Sequence, residues 1–233
     1  MSLAERDVVL RELMDDPECD ADRLRATLRR FGTINRLVSG WGRAHRSHIR
    51  PYLASLGRPA RVLDLGCGGG DVMIRLARYA ARDGLTAEWV GVDPDPRAIH
   101  VARGRAAPPE VTFRCADSTS LLADGERFDL VLSNHVLHHL SSAELASFAD
   151  ESRRLSRGLV LHGDIERGRI AYALYTVGIT PFAPGTFLRT DGLRSIRRSY
   201  RADELGQVLG PAWRVDRPAW FRVLTVAHGT AGD

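Results

Sequence analysis

The chain has 233 residues, of which 44% are hydrophobic, and a formal net charge of +4 at pH 7. A chain of this length buries roughly 70–75% of the surface that its unfolded form exposes, so its core requires neither disulfides nor a structural metal. No apolar run approaches the roughly 18 residues of a membrane span, and the N-terminal stretch lacks the apolar core of a signal peptide, so we expect a cytoplasmic protein.

The basic residues and the cysteines indicate little about partners. All 33 basic residues are arginine, a bias that we attribute to GC-rich coding rather than to polyanion binding, so the charge is weak evidence for nucleic acid. Cys19, Cys67 and Cys115 lie far apart in the chain, which argues against a disulfide framework and against a zinc ribbon.

The N-terminal region has the pattern of a helical extension. Ser2 and Glu5 have the spacing of a capping box, which predicts a short helix that ends by Pro17. The GWG sequence that starts at Gly40 separates the two helices that follow, and the second of them runs to Gly57. The first of the two is predicted by apolar residues that recur at helical spacing: Leu24, Leu28, Phe31, Ile34, Leu37 and Val38.

From Arg61 onward, short apolar strands alternate with helical patterns. The predicted strands are RVLDL, EWVGVD, EVTFRC, FDLVLS and GLVLHG, followed by two strands in RVDRPAWFRVLTVAHG that join at Pro218. This order predicts an α/β fold with a Rossmann-like, doubly wound, mostly parallel seven-stranded sheet. We therefore predict a helical extension or lid at residues 1–57 and a ligand-binding domain at residues 58–233, with a helical cap insertion at about residues 165–200.

Polar groups follow three neighbouring strands, at the edge where such sheets bind ligands. VLDLGCGGGD places a glycine-rich turn between a buried strand and a helix, where backbone can approach a ligand closely. The next strand ends at Asp93, whose carboxylate can accept hydrogen bonds from both hydroxyls of a ribose. The third strand is followed by Asp117, which can meet the exocyclic amine of adenine.

Charges around the glycine-rich turn distinguish between two adenosine-containing ligands. The nicotinamide dinucleotide fingerprint G-x-G-x-x-G/A would start at Gly66 and require a small residue at position 71, which is Asp71. A carboxylate at that helix N-terminus repels a pyrophosphate. A ligand with a sulfonium and an ammonium group but no phosphate tolerates Asp64 and Asp71, so the charges favour S-adenosylmethionine.

Four motifs occur in a characteristic order: VLDLGCGGG, the acidic end of GVDPD, CADS, and FDLVLSNHVLHHL. Over roughly residues 60–165 the chain thereby resembles the class I S-adenosylmethionine-dependent methyltransferases, particularly the subgroup similar to ubiquinone and menaquinone biosynthesis methyltransferases. The resemblance implies S-adenosylmethionine as the cofactor. The cofactor-binding residues that it implies are Asp64, Gly66, Cys67, Gly68, Asp93, Pro94, Ala116, Asp117, Ser118, Asn134 and His135.

Within that set, the resemblance implies that Asp64 supports the amino group of the methionine moiety. It also implies that Asp93 holds the ribose, that Asp117 contacts the adenine amine, and that Asn134 and His135 sit beside the methionine end. Simpler roles as caps of the following turns stay open for Asp93 and Asp117.

Histidines near the ends of the fourth and fifth strands are the candidate catalytic groups. If the acceptor is a phenol or an enol, a histidine is suited to remove its proton near neutral pH. His135 leads because it adjoins the cofactor motif, and His139 and His162 are the other candidates, although packing roles stay open. A zinc site fits poorly, because no third or fourth ligand is evident nearby and methyl transfer requires no metal.

The extension and the insertion are expected to form the acceptor pocket. The insertion carries aromatic residues suited to a partly apolar pocket, namely Tyr172, Tyr175, Phe182 and Phe187. We therefore expect methylation of oxygen or carbon of a small aromatic, quinone-like or polyketide-derived acceptor. The sequence after the fourth strand lacks the Pro-Pro-aromatic motif of DNA adenine methyltransferases. An RNA methyltransferase, a non-catalytic S-adenosylmethionine-binding protein, and an enzyme held at a membrane surface by the helix at residues 24–38 are the alternatives.

Overall fold

In the computed structural model, which describes residues 3–230, a seven-stranded sheet has the order β3-β2-β1-β4-β5-β7-β6. Strands β1 to β5 are parallel, and β7 is antiparallel to both of its neighbours. This confirms the predicted Rossmann-like, mostly parallel seven-stranded sheet. The strands are β1 (Ala60–Leu65), β2 (Ala87–Asp93), β3 (Val111–Cys115), β4 (Phe128–Asn134), β5 (Ser156–Ile165), β6 (Arg214–Asp216) and β7 (Arg222–His228).

Ten α-helices within residues 3–230 flank and cover the sheet. A π-helical turn at His45–Ile49 joins the second of these helices to the third. None of them is long and apolar enough to cross a membrane. The helices are α1 (Ala21–Val38), α2 (Trp41–Ala44), α3 (Arg50–Ser55), α4 (Asp71–Arg82), α5 (Pro96–Arg103), α6 (Ser118–Ala123), α7 (Ser142–Leu155), α8 (Arg169–Gly178), α9 (Leu188–Arg198) and α10 (Ala202–Leu209).

The short helix predicted to start at Ser2 and to end by Pro17 is not formed by any of residues 3–17. Ser2 itself lies outside the described residues, and residues 3–20 form turns and bends. The reason is a tertiary contact, because Asp191 on α9 accepts hydrogen bonds from the backbone N–H groups of Leu13 (2.8 Å) and Met14 (3.0 Å). These donors are therefore satisfied without a helix. We call residues 3–20 the N-terminal segment.

The sheet is buried on both faces, which explains why its central strands are almost continuously apolar. Successive side chains of a strand point to opposite faces. In β1, Val62 packs into one apolar layer with Trp41 and Met73, whereas Leu63 and Leu65 pack into the other. Two apolar cores, one on each face of the sheet, therefore support the edge at which a ligand is predicted to bind.

The turn between β1 and α4 requires glycine at its last position. Gly70 has a φ of +74°, and a Cβ placed there would lie 2.5 Å from Cζ of Phe113 on β3. An L-residue in this position would be strained in its backbone and would overlap with the aromatic ring. The position of α4 relative to the sheet therefore depends on the lack of a side chain at Gly70.

We predict that Gly70→Ala lowers the free energy of unfolding by about 2–4 kcal/mol, because strain and overpacking add. Gly57→Ala is the matched control, since Gly57 also has positive φ but a Cβ on it would have no neighbour within 4 Å. It should cost only about 1–2 kcal/mol. Urea-induced unfolding of both variants measures the difference, and equal losses would contradict the role of Phe113.

Candidate active site

A cavity of about 840 Å³ opens at the carboxyl ends of the parallel strands. Its walls come from α1, the turn after β1, the end of β4, α8, α9 and the start of β7, together with part of the N-terminal segment. Small-molecule sites occupy roughly 300–1,000 Å³. The cavity is therefore at the upper end of this range and has room for more than one small molecule.

The turn after β1 brings bare backbone to the cavity wall. Gly66 and Gly68 have φ values of +71° and +52°. A Cβ on Gly66 would lie 2.6 Å from a methyl carbon of Val136, whereas nothing lies within 4 Å of the corresponding point at Gly68. Gly66, Cys67 and Gly68 all line the cavity. A ligand can consequently contact this backbone from the Gly68 side.

Three carboxylates surround the glycine-rich turn. Asp64 is buried, and its Oδ1 has no hydrogen-bond partner within residues 3–230. Burial raises the pKa of Asp64 well above its ordinary value, and the charges of Asp71 and Asp93 raise it further. Asp71 accepts a hydrogen bond from Asn35 Nδ2 at 3.1 Å and lines the cavity, whereas Asp64 does not reach the cavity wall. This arrangement favours a ligand with positive charge and disfavours a pyrophosphate.

Asp93 shapes the turn and also faces the cavity. Its Oδ2 accepts a hydrogen bond from the backbone N–H of Gly68, and its Oδ1 accepts one from Asp95, each at 2.9 Å. Burial raises the pKa of Asp93, and these two hydrogen bonds oppose that rise. Asp93 and Pro94 both line the cavity. The carboxylate is thus fixed in place beside the space that a ligand would occupy.

The residues expected after β3 are not brought to the cavity wall. Ala116, Asp117 and Ser118 do not line the cavity. Asp117 is exposed, and its side chain accepts a hydrogen bond from the backbone N–H of Ser120 at 2.8 Å in a capping box of α6. The Ser118 hydroxyl donates to Glu151 on α7. In this structure Asp117 therefore has the helix-capping role that the sequence left open.

Asn134 and His135 end β4 at the cavity wall. Asn134 Oδ1 accepts a hydrogen bond from Trp41 Nε1 at 2.8 Å. His135 has a φ of +63°, an uncommon conformation for a non-glycine residue, and its backbone N–H donates to the carbonyl of Gly163 at 2.9 Å. Such strain persists only where the surroundings hold it, and it is frequent at functional sites.

The imidazole of His135 is held by Arg222. Nη1 of Arg222 lies 2.6 Å from His135 Nε2. A guanidinium only donates hydrogen bonds, so Nε2 accepts and the proton of the neutral ring is on Nδ1. Burial and the charge of Arg222 lower the pKa of His135 well below its ordinary value. His135 therefore presents a donor, with no free lone pair.

His138 is clamped between two carboxylates from distant parts of the chain. Its Nδ1 donates to Asp164 Oδ1 at 2.8 Å, and its Nε2 donates to Glu12 Oε1 at 3.1 Å. All three side chains are buried. Burial opposes the charged form of His138, but Asp164 and Glu12 outweigh it and raise the pKa to about 10. A protonated His138 thus ties the N-terminal segment to the sheet.

His139 forms a second histidine–carboxylate pair at the cavity wall. Its Nδ1 lies 3.3 Å from Asp15 Oδ2, and both side chains are partly exposed. Its Nε2 lies 4.0 Å from Glu12 Oε1, beyond hydrogen-bond distance. His139 and Asp15 both line the cavity. One ring nitrogen is consequently held by a carboxylate, while the other has no hydrogen-bond partner within the described chain.

His162 is not brought together with the other candidates. It is fully buried, its Nδ1 lies 2.8 Å from the Ser133 hydroxyl, and its ring stacks on Trp213. It does not line the cavity, and burial lowers its pKa to about 3. His162 lies on the predicted fifth strand, but its ring also packs against Phe148 and not against the cavity.

The group formed by Glu12, His138 and His139 could hold a metal ion, because the ligand atoms lie within 4.8 Å of one another. No local pattern in the sequence points to this group, since Glu12 is 126 residues from His138. The His138 cation already balances the charge of Glu12, however. A divalent ion would first have to displace that proton.

Sequence comparison finds similarity over the central part of the chain. A family model described as a methyltransferase domain matches residues 62–158. The ubiquinone biosynthesis O-methyltransferase of Methylobacterium sp. (strain 4-46) is 38% identical over 121 residues, which cover 50% of this chain and 45% of the relative. That of Azorhizobium caulinodans is 34% identical over 144 residues, covering 61% and 52%. The chain spans about half the length of the curated relatives it matches.

Solved structures share the fold. The plantazolicin methyltransferase BpumL in complex with SAH has a TM-score of 0.61 at 12% identity, over 90% of this chain and 95% of that one. Human N-acetylserotonin methyltransferase in complex with SAM has a TM-score of 0.54 at 12% identity, over 74% and 48%. At such low identities the likeness shows the fold alone, which is that of the Rossmann-like methyltransferases.

We predict that the clamp on His138 makes stability depend on pH. Its folded-state pKa of about 10 lies above its ordinary value of 6.5, so its contribution is complete below about pH 6.5 and is lost as the pH rises through about 10. The free energy of unfolding of His138→Gln should therefore fall less between these pH values than that of the parent chain. Denaturant titrations at several pH values test this, and parallel curves for the two proteins would contradict it.

Proposed function

We propose that this chain, whose residues 62–158 match a methyltransferase domain, is a class I S-adenosylmethionine-dependent methyltransferase that transfers the methyl group of that cofactor to a hydroxyl oxygen of a small acceptor. The observation that carries the proposal is the pairing of two sites in one cavity. A glycine turn with buried carboxylates lies at one side, and a histidine held by a carboxylate lies at another.

The residues around the glycine turn fit S-adenosylmethionine. Asp71 lines the cavity beside the glycine turn, where its carboxyl group favours the positive charges of the methionine end. Asp93 is fixed where it can accept hydrogen bonds from ribose hydroxyls. When bound, the cofactor supplies a methyl group that its sulfonium has already activated. The protein then has mainly to align the acceptor and remove its proton.

His139 is the candidate general base in our proposal. Asp15 holds its Nδ1, which leaves Nε2 to take the proton of an acceptor hydroxyl. His135 fits this role less well than the sequence indicated, because Arg222 occupies its lone pair. His162 fits it least, because it lies outside the cavity.

The acceptor class follows from the cavity and the relatives. The wall contributed by α1 and α8 is apolar, with Phe31, Ile34 and Leu174 among its residues. The relatives are named for O-methylation in ubiquinone biosynthesis. We therefore propose a phenolic, quinone-like or polyketide-derived acceptor and a cytoplasmic enzyme. RNA fits less well as the substrate, because Leu24 and Leu28 of α1 dock against α5, which makes this helix part of the fold rather than a separate RNA-binding module.

We also propose that residues 1–57 and the insertion at about 165–200 act together as a cover. Support comes from contacts between them: Asp191 of α9 holds the N-terminal segment, and Arg198 donates to the carbonyl of Leu10 at 2.6 Å. Both regions contribute to the cavity wall. A cover of this kind excludes water from the reacting groups.

We predict that Asp93→Asn weakens the binding of S-adenosylhomocysteine by about 1.5–3 kcal/mol, the range for hydrogen bonds to a charged group. Asp124→Asn, an exposed carboxylate at the end of α6, is the control and should bind as the parent chain does. Isothermal titration calorimetry measures both. An unchanged affinity for Asp93→Asn, or tighter binding of a nicotinamide dinucleotide by the parent, would refute the cofactor assignment.

We predict that His139→Gln lowers kcat by roughly 10²–10⁴, with little effect on S-adenosylhomocysteine affinity. Asp15→Asn should cause a smaller loss, because it removes only the group that orients the ring. His100→Gln, on the exposed face of α5, serves as the control. Transfer of a radiolabelled methyl group to a hydroxynaphthoate probe provides the assay. Full activity of His139→Gln would exclude this residue as the base.

A further inference from the structure

Arg222 is a buried cation in the cavity wall that lacks a counterion. Its side chain is 7% exposed, and it forms no salt bridge with any of residues 3–230. Its Nε donates to the carbonyl of Val38 at 3.0 Å, and its Nη1 donates to His135. Its Nη2 has no hydrogen-bond partner in this part of the chain. A buried charge normally has a partner, because desolvation without one is costly.

The other two buried arginines of the described chain are fully engaged. Arg167 pairs with Glu204 and also donates to three backbone carbonyls. All three nitrogen groups of Arg198 donate to carbonyls. Arg222 alone among the three keeps a free pair of N–H donors, and it is also the one that lines the cavity.

The charged and titratable groups that face Arg222 do not supply the missing anion. Asp164 attracts the guanidinium electrostatically but lies beyond salt-bridge distance. Both of its oxygens already accept hydrogen bonds from His138 or from backbone N–H groups. The Tyr175 hydroxyl donates to the carbonyl of Leu188, and burial raises its pKa, so it stays neutral. Arg222 remains charged at neutral pH, since burial lowers its pKa only to about 10.

His135 holds Arg222 in place at the cavity wall. Its Nε2 accepts a hydrogen bond from Nη1 of the guanidinium at 2.6 Å, so the ring proton is on Nδ1 and points away from Arg222. This contact leaves Nη2 of Arg222 free at the cavity wall. A charge-assisted donor of this kind recognises carboxylates and other oxyanions.

We propose that Arg222, held in place by His135, forms an oxyanion subsite, and that the acceptor is an aromatic acid bound there through an ionised oxygen. This rests on the proposed function, because the ligand is the methyl acceptor itself. The apolar wall residues Phe31, Leu174 and Trp220 contact its ring. A carboxylate and a phenolate share this chemistry, and both satisfy the guanidinium.

Calorimetry with three probes tests the subsite: 2-naphthoate, its neutral analogue 2-naphthamide, and 4-nitrophenolate. The parent chain should bind at least one of the two anions more tightly than the amide. The anion that binds more tightly shows whether the subsite prefers a carboxylate or a phenolate. Arg222→Gln should weaken that anion roughly tenfold to hundredfold and leave the amide unchanged. Arg222→Lys keeps the positive charge and should retain part of the preference for the anion over the amide. This variant keeps the test decisive if Arg222→Gln does not fold.

Arg217→Gln is the matched control, because it removes the same charge from an exposed residue paired with Glu166. It should keep the full preference for the anion. Equal binding of anion and amide by the parent chain, or an anion preference that survives Arg222→Gln, would overturn the subsite. S-adenosylhomocysteine is titrated into the same samples. If all variants bind S-adenosylhomocysteine but show no anion preference, the subsite is wrong while the proposed cofactor site stands. If the parent chain does not bind S-adenosylhomocysteine, the proposed function itself fails.

Discussion

The charged His138, buried between Asp164 of the sheet and Glu12 of the N-terminal segment, is the interaction on which the site depends. Glu12 also accepts a hydrogen bond from Ser195 of α9, so one carboxylate joins the segment, the sheet and the insertion. Removing one partner from such a group leaves an uncompensated buried charge, which is costly. The same contact fixes the backbone on which His135 and His139 approach the cavity, so packing and chemistry are coupled here.

The cavity wall carries groups of opposite charge. At the glycine turn, the carboxyl groups of Asp71 and Asp93 line the cavity, which favours a cationic cofactor. At the start of β7, Arg222, held in place by the neutral His135, presents a donor suited to an oxyanion. In the proposed reaction, these groups direct a cationic methyl donor and an anionic acceptor to different parts of one cavity, and such positioning of two reactants contributes much of the rate enhancement in transfer reactions.

The sheet, the glycine turn and Asp93 were predictable because their signals are local: apolar runs, a strand-to-helix turn and residues that directly follow strands. Roles set by distant partners were not. Asp191 satisfies the donors of a stretch that resembles a capped helix, Arg222 lies 87 residues from His135, and Glu12 lies 126 residues from His138. His162 packs against Phe148 and Trp213 and does not reach the cavity. Asp164, two residues nearer the end of β5 and on the same face, carries the contact with His138 that the motif did not reveal.

A crystal structure of the chain with S-adenosylhomocysteine would test the proposed site most directly. We predict that the ribose hydroxyls contact Asp93, that the methionine end lies against Gly66 to Gly68, and that the sulfur faces the part of the cavity bounded by Asn134 and His139. Density for the ligand outside this cavity, or an orientation that places its sulfur away from His139, would contradict the proposed methyl transfer.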